Sequence, residues 1–116
     1  KSQRKNYLIP DLKKKIKKSK HVLNLENLNH YRDFISMEDI GKILNLLPKK
    51  KFTGIVNIGS GKGIYLKDIA NIILNKYNKK GIFFDNKKIT YLIANNQKVK
   101  NITKLNFKSN IKKLIF

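Results

Sequence analysis

A glycine-rich turn between an apolar run and a helical pattern constrains the fold of this chain most strongly. Residues 54–59 are rich in β-branched side chains and end in glycine, which predicts a buried strand. Glycines cluster over residues 59–63 and predict a tight loop. From residue 66 to Tyr77, apolar residues recur at helical spacing, and Gly81 follows the expected end of the helix. A strand, a loop and a helix in this order indicate an α/β fold.

Periodicity predicts further elements on both sides of this unit. Before it we expect a helix over residues 7–20, a short strand over 21–28, an extended segment over 31–35, and a helix that Ser36 caps and that stops at Pro48. After it we expect a strand over 82–84, an extended segment over 90–94, a helix over 96–103, and a last helical turn that Ser109 caps. No linker rich in glycine, serine or proline divides the chain, so we treat residues 1–116 as one unit.

The positive charge of the chain has two interpretations. Lys and Arg number 27 against 7 Asp and Glu, which leaves a formal net charge of +20. All of these basic residues except Arg4 and Arg32 are lysine, whereas proteins that grip phosphate backbones favour the planar fork of arginine. We therefore interpret most lysines as a solvated surface and expect neither a specific nucleic-acid partner nor a membrane partner. A functional basic patch for nucleic acid or an anionic membrane is the alternative.

Several classes of protein are excluded by what the sequence lacks. Without cysteine there is no disulfide framework or thiolate metal site, and the isolated His21 and His30 argue against a zinc site. No apolar stretch approaches the roughly 18 residues of a membrane span, and no apolar signal-peptide region follows the N-terminus. These features predict an intracellular, cytoplasmic protein without a bound metal.

The glycine loop does not match the known phosphate-binding motifs. A Walker loop requires glycine where Val56 stands, and Ser or Thr where Gly63 follows Lys62. The dinucleotide fingerprint requires glycine at position 64, which is Ile64. No tyrosine is followed four residues later by lysine, so the chain lacks the proton relay of hydride-transfer enzymes. We therefore interpret the loop as a tight connection that needs glycine for its backbone conformation.

Two side chains near residue 31 are candidates for ligand binding. Arg32 stands out against a background of lysine, which favours two-pronged recognition of a phosphate or carboxylate. The alternative is a structural ion pair of Arg32 with Asp33 or Glu38. His30 is interpreted as a histidine in a surface loop, with contact to an anionic ligand as the alternative.

Several motifs in register carry a resemblance to a known family. The matching segments are residues 31–40 (RDFI at their core), 56–61 (VNIGSG), 66–70, 91–98, 106–108 and the Leu8-Ile9-Pro10 entry to the first helix. Together they resemble the C-terminal half of the extended short-chain dehydrogenase/reductases, the NAD-dependent epimerase/dehydratase family that acts on nucleotide sugars. The resemblance implies that residues 1–116 are the substrate-binding subdomain of a Rossmann-fold enzyme, with short strands and packed helices. It also implies that the N-terminal dinucleotide-binding part is absent.

The resemblance further implies roles for individual residues. The implied substrate-binding residues are Arg32 for the pyrophosphate, Val22, Leu23 and Asn24 for the nucleobase and ribose, and Lys87 and Lys88 as point charges where relatives place an arginine. Asn95 departs from the aspartate of the family motif. No catalytic residue lies in this part, so the fragment alone is expected to be inactive.

The resemblance also implies partners for the parent enzyme. The parent would use NAD or NADP, which this fragment alone would not bind, and would act on a nucleotide-diphosphate sugar for surface-polysaccharide synthesis. It would be an epimerase, a dehydratase or a reductase, and a homodimer. The alternative function is a basic, non-enzymatic module that binds nucleic acid.

Overall fold

A computed structural model describes residues 7–107 and 110–116. The helices are α1 (Leu8–Lys18), α2 (Met37–Leu46), α3 (Leu66–Lys76), α4 (Gln97–Thr103) and α5 (Ile111–Ile115). The strands are β1 (Leu23–Glu26), β2 (Tyr31–Asp33), β3 (Gly63–Tyr65), β4 (Gly81–Phe84) and β5 (Tyr91–Leu92). A short 3-10 turn, Leu47–Lys49, follows α2. The architecture is a mixed α/β fold with short strands and packed helices, as predicted.

The strands form two small sheets. In the first, β1 and β4 run parallel, with Leu23 opposite Gly81 and Glu26 opposite Phe84. In the second, the order is β3-β2-β5, so β2 is the central strand. It runs antiparallel to β3 and parallel to β5, and Arg32 lies between Ile64 and Leu92. The short strand that carries the candidate arginine is therefore held on both edges.

The larger hydrophobic core lies between α1, α3, α5 and the sheet of β1 and β4. Ile16 of α1 and Ile73 of α3 have no exposed surface, and Leu25 of β1 is 2% exposed. These residues share one face of each element because apolar side chains recur every three or four positions in the helices and every second position in β1. The charged faces of α1 and α3 remain in solvent.

A smaller core joins α2, α4 and the segment after α4. Its buried members are Ile43, Val99 and Phe107. The partly buried side chains that pack against it are Ile35, Leu47, Val56, Ile58 and Leu105. The segment 56–58 thus lies on this core although it belongs to no strand.

Most of the predicted elements are confirmed, including the cap of α2. The Ser36 hydroxyl accepts a hydrogen bond from the Asp39 N–H at 3.1 Å, as a capping residue should. The prediction of a final helix is confirmed, but Ser109 lies outside the described residues. The Asn110 side chain caps α5 by accepting from the Lys113 N–H at 3.2 Å.

The predicted buried strand over residues 54–59 is wrong for the described structure. No strand is formed there, and Ile55 is 87% exposed. The physical reason is that a strand needs a hydrogen-bonded neighbour, and the described residues supply none to this segment. The glycines after it also lead into β3 before α3 begins, whereas the sequence predicted a direct passage from the loop to the helix.

The packing of α3 predicts a stability difference between its two faces. Replacing Ile73 with alanine removes a fully buried side chain and should lower the free energy of unfolding by about 2–4 kcal/mol. Asn71→Ala, on the exposed face of the same helix, is the matched control and should change stability by less than about 0.5 kcal/mol. Urea unfolding followed by circular dichroism measures both. Equal losses in the two variants would contradict the proposed core.

Candidate functional site

The Asp33 carboxylate, at the end of β2, organises the candidate site. Its Oδ1 accepts a hydrogen bond from the Ser60 N–H at 2.9 Å and another from the Ser60 hydroxyl. Its Oδ2 accepts from the Gly61 N–H at 2.9 Å and from the Ala94 N–H at 3.1 Å. One side chain therefore binds the glycine loop and the segment after β5 to the central strand. Hydrogen bonds of this kind, with an ionised acceptor, are shorter and stronger than neutral ones.

Two glycines allow the loop to close around this carboxylate. A Cβ at Gly59 would lie 2.4 Å from the Cβ of Ala94 and 3.0 Å from Oδ2 of Asp33. Gly61 has a φ of +73°, and a Cβ there would lie 2.6 Å from Oδ1 of Asn96. The Asn96 side chain in turn donates to the Gly59 carbonyl at 3.2 Å. The loop needs glycine at these positions because neighbouring side chains approach its backbone closely and because φ is positive at Gly61. The interpretation of the loop as a tight connection is thus confirmed.

The same geometry bears on phosphate binding. Glycine-rich loops hold phosphate through backbone N–H groups that point at the anion. Here the N–H groups of Ser60 and Gly61 point at Asp33, so a carboxylate of the chain itself occupies that position. The residues of this loop therefore do not fit the phosphates of a dinucleotide.

Arg32 is half-buried on the central strand, next to Asp33. Its Nη1 donates to the Tyr31 carbonyl at 2.8 Å and to the Thr90 carbonyl at 3.3 Å. The guanidinium also carries N–H donors on Nε and Nη2, for which the described residues provide no acceptor. The side chain is thus anchored by one nitrogen and retains a two-pronged edge.

The alternative role of Arg32 as a structural ion pair is wrong for the described residues. Glu38 pairs instead with Lys42 at 3.3 Å and with Lys113 at 3.6 Å. The hydrogen bond from Lys42 and the charge of Lys113 lower the pKa of the Glu38 carboxyl. The Asp33 carboxylate accepts its hydrogen bonds from the backbone N–H groups of the glycine loop and Ala94 and from the Ser60 hydroxyl. Neither carboxylate neutralises the guanidinium.

Two buried side chains hold the loop between β4 and β5 at both of its ends. Asn29 donates to the Asn86 carbonyl and accepts from the Asn86 N–H, each at 2.8 Å. His30 accepts from the Thr90 N–H through Nδ1 at 3.1 Å. Because His30 is only 8% exposed, its interpretation as a histidine in a surface loop is wrong. Its ring supports the loop that meets Arg32 at Thr90.

The predicted site residues fall into two groups. Lys87 and Lys88 are exposed in the loop that Asn29 and His30 hold, and Arg32 contacts the last residue of that loop. Asn24 is exposed on β1, where its backbone carbonyl accepts from the Lys15 amine at 3.3 Å, and Val22 is exposed just before the strand. Leu23 packs against the larger core. The structure thus brings Arg32 together with the loop between β4 and β5 that carries Lys87 and Lys88. No hydrogen bond among the described residues links β1 to Arg32.

An ion pair fixes the start of the loop between β4 and β5. Lys67, in the first turn of α3, lies 2.6 Å from the Asp85 carboxylate. This hydrogen bond raises the pKa of the Lys67 amine above its usual value. The pair is partly exposed, so we regard it as an aid to the position of the loop and not as a large source of stability.

A row of three tyrosines covers one face of the second sheet. The ring of Tyr31 stacks on Tyr65 of β3 and on Tyr91 of β5, each with 4.8 Å between ring centroids. Side chains alternate along a strand, so Arg32 points to the opposite face from Tyr31. The stack ties the central strand to both neighbours. It thereby fixes the backbone that carries the arginine.

Sequence reasoning missed Asp33, Asn29 and the tyrosine stack. An aspartate inside the extended segment 31–35, next to Phe34 and Ile35, is a signal for a satisfied carboxylate, because strands disfavour this residue type. The tyrosines give no such signal, since their pairing depends on register between strands distant in sequence.

Residues 7–107 and 110–116 hold neither a cluster of metal-ligating side chains nor a membrane-spanning helix. No cluster of three or more His, Asp or Glu side chains is placed to hold a metal ion. No helix there has the length and apolar character needed to cross a membrane.

No protein-family model and no curated protein sequence matches this chain. Solved structures do match it in fold. RMD from Pseudomonas aeruginosa, complexed with NADPH, is 13% identical with a TM-score of 0.79, and the match covers 97% of this chain and 40% of that one. TunA, an NAD-dependent NDP-hexosamine 5,6-dehydratase involved in tunicamycin biosynthesis, is 21% identical with a TM-score of 0.77, covering 98% and 39%. WbmG from Bordetella bronchiseptica, in complex with NAD and UDP, is 22% identical with a TM-score of 0.71, covering 92% and 35%.

These comparisons confirm the predicted resemblance at the level of the fold. The chain has the fold of the C-terminal part of the extended short-chain dehydrogenase/reductases, whose NAD-dependent epimerases and dehydratases are its structural neighbours. It spans about 35–40% of the length of these neighbours.

The role of Asp33 generates a prediction about stability. Asp33→Asn replaces one acceptor oxygen with an NH2 group that faces N–H donors, and should lower the free energy of unfolding by about 2–4 kcal/mol. Glu26→Gln, at an exposed carboxylate of β1 with no hydrogen-bond partner among the described residues, is the control and should have little effect. Urea unfolding at neutral pH compares the two. If both variants unfold at the wild-type urea concentration, Asp33 does not organise the loop.

Proposed function

We propose that residues 1–116 are the C-terminal, substrate-binding part of an NAD(P)-dependent enzyme that acts on a nucleotide-diphosphate sugar. The parent would be an epimerase, a dehydratase or a reductase. Two observations support the proposal: the fold shared with such enzymes along nearly the whole chain, and the arginine on the central strand of the second sheet. This part of the protein binds and orients the sugar nucleotide, and the chemistry takes place at the other part.

The state of Arg32 is the single observation that carries the proposal. A diphosphate is best held by a planar pair of N–H donors with a fixed direction. Arg32 meets this need because Nη1 is anchored on two backbone carbonyls while Nε and Nη2 remain available. The anchoring lowers the entropy that the side chain would otherwise lose on binding. A lysine at this position would supply charge without direction.

The loop between β4 and β5 supplies further positive charge. Lys87 and Lys88 are exposed in this loop, which Asn29, His30 and Lys67 hold in place. The loop ends at Thr90, whose carbonyl accepts from Arg32. We therefore assign the lysines to the phosphates or their close surroundings. Asn24 and Leu23 on β1 are the candidates for the nucleoside end, on the resemblance alone.

NAD or NADP would supply hydride exchange with a carbon of the sugar when it is bound to the rest of the parent enzyme. The glycine loop of this chain does not take part, since Asp33 occupies its N–H groups. The residues described here therefore contribute orientation and charge neutralisation. A homodimeric parent, a cytoplasmic location and a role in surface-polysaccharide synthesis stay predictions that rest on the resemblance.

The function is tested at Arg32 in the full-length protein that carries these residues. Arg32→Ala should raise the KM for UDP-glucuronic acid, or the Kd for UDP, on the order of 10- to 100-fold, because charge-assisted hydrogen bonds to the diphosphate are lost. Arg32→Lys should give KM and Kd values between those of the wild type and Arg32→Ala, since lysine keeps the positive charge but lacks the planar pair of N–H donors. Lys14→Ala, an exposed cation on α1, is the control for net charge.

The same titrations distinguish the outcomes. Unchanged KM and Kd in Arg32→Ala, with UDP binding intact, would remove the assignment of this residue. The absence of binding for UDP, GDP and dTDP alike would contradict the proposed substrate class. Binding of duplex or single-stranded DNA that persists at about 0.2 M salt would instead favour the nucleic-acid alternative, because non-specific attraction to lysines falls steeply with salt.

A further inference from the structure

The ends of α1 and α3 meet at one edge of the molecule, where six lysines gather. The Lys79 amine, just after α3, donates to the Ser19 carbonyl at the end of α1, at 2.6 Å. The next carbonyl, that of Lys80, accepts from the Leu23 N–H at the start of β1, at 3.0 Å. The C-terminal ends of both helices therefore lie beside the first residues of β1 and β4. We call this surface the basic edge, and its members are Lys17, Lys18, Lys20, Lys76, Lys79 and Lys80.

The carboxylates of the same two helices and strands lie at their other end. Asp11 and Asp68 are in the first turns of α1 and α3, and Glu26 is the last residue of β1. Asp85, which follows β4, pairs with Lys67 in the first turn of α3 at 2.6 Å. Each helix has 11 residues, so about 15 Å separates the two ends. The other three carboxylates of the chain belong to β2 and to the first turn of α2, so none of the described carboxylates is part of the basic edge.

The helix dipoles account for only part of this positive charge. Cations in the last turn of a helix stabilise the partial negative charge of its C-terminal end, and Lys18 and Lys76 are in that position. Lys20 and Lys80 lie beyond the helices and are exposed. Like charges at one edge repel each other, and folding does not require them there. The arrangement therefore favours an anionic partner.

Two exposed apolar side chains accompany the lysines. Val22, between α1 and β1, is 56% exposed. Phe116 is 48% exposed, and the Lys76 amine lies 4.8 Å from the centroid of its ring. Lysines around apolar side chains are typical of surfaces that rest on anionic lipid, because the amines meet the headgroups while the apolar groups enter the boundary with the acyl chains. Nucleic acid is a poorer partner, since the basic edge has no arginine with which to grip a phosphate backbone.

We propose that the basic edge is a docking surface for an anionic lipid membrane. It binds the membrane peripherally, through lysine charge and through Val22, and these lysines are the exception to the interpretation of the lysines as a solvated surface. The loop that carries Lys87 and Lys88 follows the opposite end of β4 and meets Arg32 at Thr90. Docking at the basic edge therefore leaves the candidate substrate site free of the membrane.

Vesicle binding by the full-length protein that carries these residues tests the proposal. The probe is a phosphatidylcholine vesicle that contains about 30% phosphatidylglycerol, at about 0.1 M salt. The triple variant Lys18→Gln, Lys20→Gln and Lys80→Gln should weaken vesicle binding on the order of 10- to 100-fold. The reason is that each lysine near an anionic surface raises the affinity about fivefold.

A second triple variant is the matched control. Replacing the exposed lysines at positions 49–51 with glutamine removes the same net charge after α2, beside the smaller core. Because these lysines are outside the basic edge, vesicle binding should change by less than about threefold. Equal losses in the two triple variants would overturn the proposal, since net charge alone would then drive the binding.

Two further measurements identify the partner and the site. Addition of UDP should not displace the vesicles, and displacement would overturn the proposal because the lipid would then be bound at Arg32. Binding of duplex DNA at about 0.2 M salt that is lost in the basic-edge variant, without vesicle binding by the wild type, would assign the surface to nucleic acid and would also overturn it.

The role of Val22 is tested without a change of charge. Val22→Asn should weaken vesicle binding on the order of 10-fold, because an apolar side chain no longer enters the membrane boundary. Its Tm should match that of the wild type, since the side chain is exposed in the free protein. Wild-type affinity of this variant for the vesicles would contradict the insertion of Val22.

Discussion

A single carboxylate, that of Asp33, connects parts of the chain that are far apart in sequence. Its two oxygens accept hydrogen bonds from the glycine loop at residues 60 and 61 and from Ala94 after β5. Without these bonds, the N–H groups of Ser60, Gly61 and Ala94 would need other acceptors, and an unmet group is costly when it is shielded from water. The arginine next to Asp33 depends on this arrangement, because β2 is positioned by the segments that the carboxylate holds. The carboxylate of Asp33 is thus satisfied from within the chain, beside the arginine that we propose binds an external anion.

The opposite charges of residues 32 and 33 are kept apart by the strand itself. Successive side chains leave a strand on opposite faces, so the two neighbours do not meet. Asp33 is satisfied by backbone N–H groups, and Arg32 is anchored by backbone carbonyls. Backbone dipoles stabilise both charges without cancelling either. An arginine paired with a carboxylate would have lost its attraction for phosphate, and the separation preserves it.

The helices were predictable because each carries its own apolar period and, in α2, its own cap. The long-range contacts of the site were not. Asn29 and His30 hold a loop nearly sixty positions away, at Asn86 and Thr90, with distances that only the folded chain sets. Arg32 could be singled out from the sequence because it departs from a lysine background. For Asp33 the sequence signals only that a carboxylate stands in an extended segment, and it does not show which N–H groups surround that carboxylate.

The segment at residues 54–58 shows why composition and structure can disagree without either being in error. Its β-branched residues fit a buried strand, and half of that environment is realised, since Val56 and Ile58 pack on the smaller core. The other half requires hydrogen bonds at an edge and a cover for Ile55, and neither is supplied by the described residues. The preference of a residue for a β-strand depends on its surroundings in the folded chain, including the surfaces that other segments provide.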